Sequence, residues 1–202
     1  MKKIFKFGVK YSIVCLAAIT LFFVLAINTK MTVSASSGEI SNIAVSVGET
    51  YETSGINYHC TTDGSYVIYG TSSTLATFTK AETTSKLWGM EQDPDDAETG
   101  FAERYVCKAY LTGLSADTTY YYQIIAGSNK SEIKSFKTTK ESGSTNVLLL
   151  SDTQSSSLSY FQKINTLVSN IESKVKDLNS VVITGDIVDR GGYESQWDAL
   201  FG

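Results

Sequence analysis

The chain has 202 residues, 42% of them hydrophobic and 19% charged, with a formal charge of −4 and a single histidine, His59. This composition is too apolar and aromatic for a disordered chain and does not fit the basic face of a general nucleic-acid binder. One histidine excludes a His-rich metal site or a two-histidine mechanism within these residues, and the length sets one or two domains at roughly 100–200 residues each.

Lys2, Lys3, Lys6 and Lys10 make a basic start without acids. Residues 11–27 are almost continuously apolar, and Val33-Ser34-Ala35 is a small-residue cleavage pattern. Together they predict a secretory signal peptide over residues 1–35 and a secreted or cell-surface protein. The apolar run is slightly short of the ~20 residues that a bilayer span needs, so an uncleaved anchor is the lesser reading. That anchor would be the protein's one contact with a membrane. Residues 1–35 hold five of the 17 basic residues and none of the 21 acids, which leaves the remainder at a formal −9. Such a chain favours neither anionic membranes nor nucleic acids. Export permits a disulfide between Cys60 and Cys107; two separate buried thiols is the other reading.

From residue 36 to 140, short β-rich runs alternate with turn residues. Strands are predicted at 43–47, 56–60, 66–69, 104–111, 120–126 and 133–136. This spacing, without a helical period, predicts an antiparallel β-sandwich. Leu111-Thr112-Gly113-Leu114 followed by Tyr120 has the makings of a tyrosine corner, with the ring in the core and the hydroxyl bonded to upstream backbone. The acidic stretch 93–98 lacks the ligand alternation of an EF-hand and reads as a solvated loop. His59 lies in a strand pattern beside Cys60, with no partner indicated nearby, and reads as a packing or surface residue.

The run from Tyr105 through Leu114, Thr118, Tyr120 and Tyr122 to Ser135-Phe136-Lys137-Thr138 resembles the fibronectin-III-like N-terminal domain of purple acid phosphatases. Ala116 stands where such modules often carry Pro.

Residues 141–145 are a polar linker. Beyond it the period changes. Residues 147–150 and 181–183 are continuous apolar runs. Between them Leu158, Phe161, Ile164, Leu167, Val168, Ile171, Val175 and Leu178 fall on one helical face. Ser156 or Ser157 is the expected cap and Asn179 the expected stop. Strand, helix, strand predicts a βαβ unit whose parallel strands are buried on both faces. Ser151-Asp152-Thr153-Gln154 and Gly185-Asp186-Ile187-Val188-Asp189-Arg190-Gly191 then share the carboxyl edge of the sheet, where open α/β folds bind ligands. Asp152 and Asp186 would lie side by side, and two close carboxylates call for a cation between them. Gly185 is expected to allow close backbone approach. The absence of G-x-G-x-x-G after the first run argues against a dinucleotide site.

These two motifs resemble the first two of the calcineurin-like metallophosphoesterases, commonly D-x-H and G-D-x-x-D. The resemblance implies two metal ions (Fe, Zn or Mn), with Asp152 on the first and Asp186 bridging both. Gln154 stands where many members have His and is a weaker, neutral donor. Asp189 stands where purple acid phosphatases carry the tyrosine of G-D-x-x-Y, which argues against the ferric charge-transfer site. Arg190 follows as in protein phosphatases, where it contacts substrate phosphate; a surface ion pair is the competing reading. The expected fold is thus a fibronectin-III-like β-sandwich followed by the first βαβ unit of an α/β metallophosphoesterase sandwich, over residues 146–202. The expected function is hydrolysis of phosphate esters outside the cell. The alternative is a secreted adhesion or binding module without catalysis. Because the family completes its metal centre with later histidines, the 202 residues are expected to be an inactive opening piece that exposes apolar surface.

Overall fold

Alternation of apolar side chains sets the first part of the structure. The computed structural model describes residues 39–88, 104–155 and 157–201; the predicted signal segment and the acidic stretch 93–98 lie outside them. Eight antiparallel strands come first: β1 (Ile40–Val47), β2 (Ser54–Cys60), β3 (Ser65–Gly70), β4 (Thr79–Leu87), β5 (Tyr105–Leu111), β6 (Thr119–Ala126), β7 (Asn129–Lys130) and β8 (Lys134–Lys137). They run in the order β1-β2-β5-β4-β3-β6-β7, with β8 also on β6.

The sheet curls over on itself as a sandwich because β4 changes partners. Thr79 to Glu82 pair with β3, and Thr83 to Leu87 pair with β5. One strand thereby turns the corner between two layers. The sequence reading missed β4. Its run TKAETTSKL shows no apolar alternation, and only Ala81 is buried. The other predicted strands are present, with ends displaced by at most a few residues.

Inward-facing residues alternate along β2, β3, β5 and β6, and Ile56, Val67, Leu111 and Ile124 are fully buried between the layers. Burying a side chain of this size stabilises by about 1.5–3 kcal/mol. Four tyrosines lie in the core, and Tyr58 and Tyr120 show how the phenol is accommodated there. Tyr58 Oη lies 2.7 Å from Ser65 Oγ and 2.9 Å from Thr83 Oγ1, so the phenol is satisfied where burial pushes its pKa up. Tyr120 is the predicted tyrosine corner. The Ser115 N–H donates to its hydroxyl at 3.0 Å, and its ring stacks on Phe136. Gly113, at φ 69°, makes the intervening turn. Cys60 and Cys107 are both free buried thiols, at diagonal positions on paired strands, Cys60 facing Tyr105 and Cys107 facing Tyr58. Their mutual hydrogen bond makes Cys60 the more acidic of the two and pushes Cys107 up.

The remaining elements are β9 (Asn146–Leu150), α1 (Leu158–Lys174), β10 (Leu178–Ile183) and α2 (Glu194–Phe201). β9 and β10 pair in parallel, Leu148 facing Val181 and Leu150 facing Ile183. α1 packs against α2, and α2 against β1.

Three local expectations change. Ser157 occupies the N-cap of α1 but its hydroxyl makes no cap bond; it pairs with Ser159 Oγ instead. Asn179 does not stop the helix. α1 ends at Lys174, Asp177 turns the chain at φ 60°, and Leu178 is already in β10. Asn179 instead accepts the Asn146 N–H at 2.9 Å and ties the start of the ladder. Nor are the two parallel strands buried on both faces. Val147 is 50% and Leu149 65% exposed, since a two-stranded ladder lacks the flanking strands and layers that cover a full sheet. No helix among the described residues is long and apolar enough to cross a membrane.

The tyrosine corner yields a measurable consequence. Tyr120→Phe keeps the ring but leaves the Ser115 N–H without its acceptor, and should cost about 1 kcal/mol. The urea midpoint should fall while the m-value stays constant.

Candidate functional site

Parallel pairing continues past the strand ends. The Thr184 N–H donates to Leu150 O at 3.0 Å, the Asp152 N–H to Gly185 O at 3.2 Å, and the Gln154 N–H to Asp186 O at 2.8 Å. These bonds bring the two predicted motifs together at the carboxyl edge of β9 and β10. Thr153 is buried between them and its hydroxyl donates to Ile187 O at 3.0 Å. Asp152 and Asp186 both hold left-handed backbone, at φ 55° and 45°. Such a conformation carries strain for a non-glycine residue, least for Asp and Asn. Asp117 and Asp177 adopt it too, in ordinary turns. What sets Asp152 and Asp186 apart is that they do so just past the ends of two paired strands, β9 and β10.

Gln154 joins this pair. Its Nε2–H donates to Asp186 Oδ2 at 3.3 Å, and its Oε1 is buried without a hydrogen-bond partner. A buried acceptor left unmade costs about 1–3 kcal/mol, a cost that a cation or a donor at this oxygen would recover. The Ser151 hydroxyl donates to Asp152 Oδ2. The donor set is therefore two carboxylates and an amide oxygen, all hard ligands. It fits a divalent cation in kind. In number it is incomplete: among the described residues no three His, Cys, Asp or Glu side chains converge on one point. Gly185 does not play its expected part. A Cβ added there would meet nothing within 4 Å; its part in the ladder is the carbonyl that accepts the Asp152 N–H.

Asp189 and Arg190 form a second group. Arg190 Nε lies 3.9 Å from Asp189 Oδ2, its Nη1–H donates to Tyr193 Oη at 3.2 Å, and its guanidinium lies 5.2 Å from the centre of the Tyr193 ring. Both side chains are about half exposed. The loop that carries them is pinned by α2. The Arg190 N–H donates to Gln196 Oε1 at 2.9 Å, and Trp197 Nε1–H donates to Gly191 O at 2.9 Å.

Residues 40–138 match the family described as purple acid phosphatase, N-terminal domain. The sandwich is similar to that N-terminal domain. The match covers the eight antiparallel strands and ends before β9. No curated protein matches the chain.

The purple-acid-phosphatase-like domain meets α2 through a buried polar cluster that the sequence did not reveal. At its centre is Glu194, 1% exposed. Its Oε1 accepts from Asn42 Nδ2 at 2.8 Å and lies 3.0 Å from His59 Nδ1 and 3.3 Å from Arg104 Nε. Arg104 also donates to Ser41 Oγ at 2.8 Å, and the Trp88 ring leans on His59. Asn42 reaches Glu194 because β1 slips register between Ser41 and Ala44, with Asn42 at φ 52°. A bulge of this kind re-aims a side chain. His59 is thus neither a core nor a free surface residue. Strand alternation placed it opposite the core, but its partner lies 135 residues away, beyond any sequence pattern.

Asp198, on the same helix, is pushed up by burial and then by the neighbouring Glu194 carboxylate, while Arg104 and an Asn42 hydrogen bond pull it back. A carboxyl raised on folding contributes stability below its unfolded value, and that contribution is lost as pH rises through the folded value. Asp198→Asn should therefore melt higher than the wild type near pH 7. The difference should vanish as the pH falls below ~3.9, the ordinary Asp value, in thermal unfolding followed by circular dichroism.

Proposed function

We propose that this protein belongs to an exported metal-dependent phosphoesterase, with residues 146–202 opening its calcineurin-like catalytic domain. The supporting observation is the juxtaposition of the Asp152 and Asp186 segments just past two paired parallel strands, after a purple-acid-phosphatase-like sandwich. Asp152 and Asp186 would hold the ions, with Gln154 Oε1 as a neutral third donor and Asp189 as a weaker contributor.

Bound divalent or trivalent ions (Fe, Zn or Mn) would supply an activated water at neutral pH and neutralise charge developing on the phosphoryl oxygens. The chain's own residues do the rest. The ladder bonds at Gly185 and Asp186 fix the spacing of the two carboxylates before any ion arrives, which lowers the cost of binding. Gln154, whose Nε2–H donates to Asp186 Oδ2, would orient that carboxylate while its Oε1 faces the ions. The Arg190 guanidinium, a planar fork suited to phosphate, would leave Tyr193 to engage the substrate phosphoryl group. A neutral Gln in place of a His ligand, and Asp189 in place of a tyrosine, favour a colourless centre without iron–phenolate charge transfer.

The full gene product, loaded with Mn, Zn or Fe, should hydrolyse p-nitrophenyl phosphate or its bis ester, and a chelator should abolish turnover. Asp186→Asn should lower kcat/KM at least about 100-fold, in line with the loss expected on disturbing a metal site. Absence of turnover with every metal would overturn the phosphoesterase reading and leave a binding module. Full turnover in Asp186→Asn would overturn the site assignment alone.

A further inference from the structure

The cluster around Glu194 does more than bury polar groups. Glu194 is the first residue of α2, and the same helix holds the loop that carries Asp186, Asp189 and Arg190. Two residues past Glu194, Gln196 accepts the Arg190 N–H; three past it, Trp197 donates to Gly191 O. Gln196 is itself buried. On the other side, the Glu194 carboxylate meets the sandwich: it accepts from Ser41 and Asn42 on β1, lies 3.0 Å from His59 Nδ1 on β2, and ion-pairs with Arg104 just ahead of β5. The backbone of α2 therefore joins two sets of hydrogen bonds, one at the bulge in β1 and one at the backbone of Arg190 and Gly191.

We propose that Glu194 is a positioning residue, through which the purple-acid-phosphatase-like sandwich holds the 185–192 loop in register at the strand edge. The proposal rests on the metal-site reading above for its catalytic meaning, but the coupling itself is independent of any ion. The physical reason is the cost of the charge. A buried carboxylate without partners is strongly disfavoured, so α2 gains its low-energy placement only where Asn42, His59 and Arg104 meet it. The helix cannot shift without exposing or orphaning that carboxylate. The loop hung from Gln196 and Trp197 inherits this restraint. The N-terminal domain is on this account a structural determinant of the site, not a spacer before it.

Hydrogen exchange on the full chain, read by mass spectrometry and NMR, tests the coupling. Glu194→Gln should speed exchange of the Arg190 amide and its neighbours in 185–192 about tenfold, the loss expected from weakening charge-assisted bonds. Exchange in β5 and β6 should stay unchanged. Asn42→Ala, which touches neither the loop nor α2's backbone, should move the same amides in the same direction by a smaller factor, and it decides the matter if the Glu194 variant does not fold. A merely structural Glu194 would lower the melting temperature and leave loop exchange equal to the wild type; that result in the folded variants overturns the proposal. Mn2+ titration of the same samples separates the two readings. Weaker Mn2+ binding in Glu194→Gln alongside faster loop exchange supports both. Faster loop exchange in a chain that binds no Mn2+ even as wild type supports the coupling independently of any ion.

Discussion

A single buried carboxylate organises the meeting of the two halves of this molecule. Glu194 is enclosed, and an ion in such a place costs several kcal/mol unless its partners are in position. Those partners come from two strands of the sandwich, β1 and β2, and from Arg104 just ahead of β5. The arrangement is therefore stable only in one docking of α2 on β1. Apolar packing alone would tolerate sliding; a charge with fixed donors does not. The bulge at Asn42 belongs to the same constraint, since regular pairing of β1 with β2 would turn that side chain to another direction.

The strand edge shows a second economy of the fold. Parallel pairing makes successive post-strand segments neighbours, and three backbone bonds extend the ladder into the two motifs. Two acids of like charge end up adjacent with left-handed backbone. Strain of this kind persists where surrounding structure over-determines it, and it concentrates at functional sites. The Oε1 of Gln154, beside Asp186, is buried without a hydrogen-bond partner.

Much of the sandwich was legible in advance because period-two alternation records burial directly: a strand with one face in the core must alternate. Tyr120 was readable for a related reason, since its bond to Ser115 is local. β4 was not readable. It is nearly all exposed, its pairing is split between two partners, and neither fact leaves an apolar signature. The helix end was misplaced because Val175 and Leu178 continue the helical period into a turn and a strand. Periodicity cannot register the competing pull of β9, which pairs with Leu178.

The sequence by itself determined the alternating strands, the tyrosine corner, the change of period after residue 140 and the two acidic motifs after apolar runs. Each is a local pattern, written by burial or turn chemistry over a few adjacent residues. Only the tertiary structure decided which distant groups meet: His59 with Glu194, Asn42 with the start of α2, Gln154 with Asp186. Those contacts span from about 30 to 150 residues. They are fixed by a strand bulge, a shared ladder and the cost of burying charge, none of which leaves a mark at either end of the sequence alone.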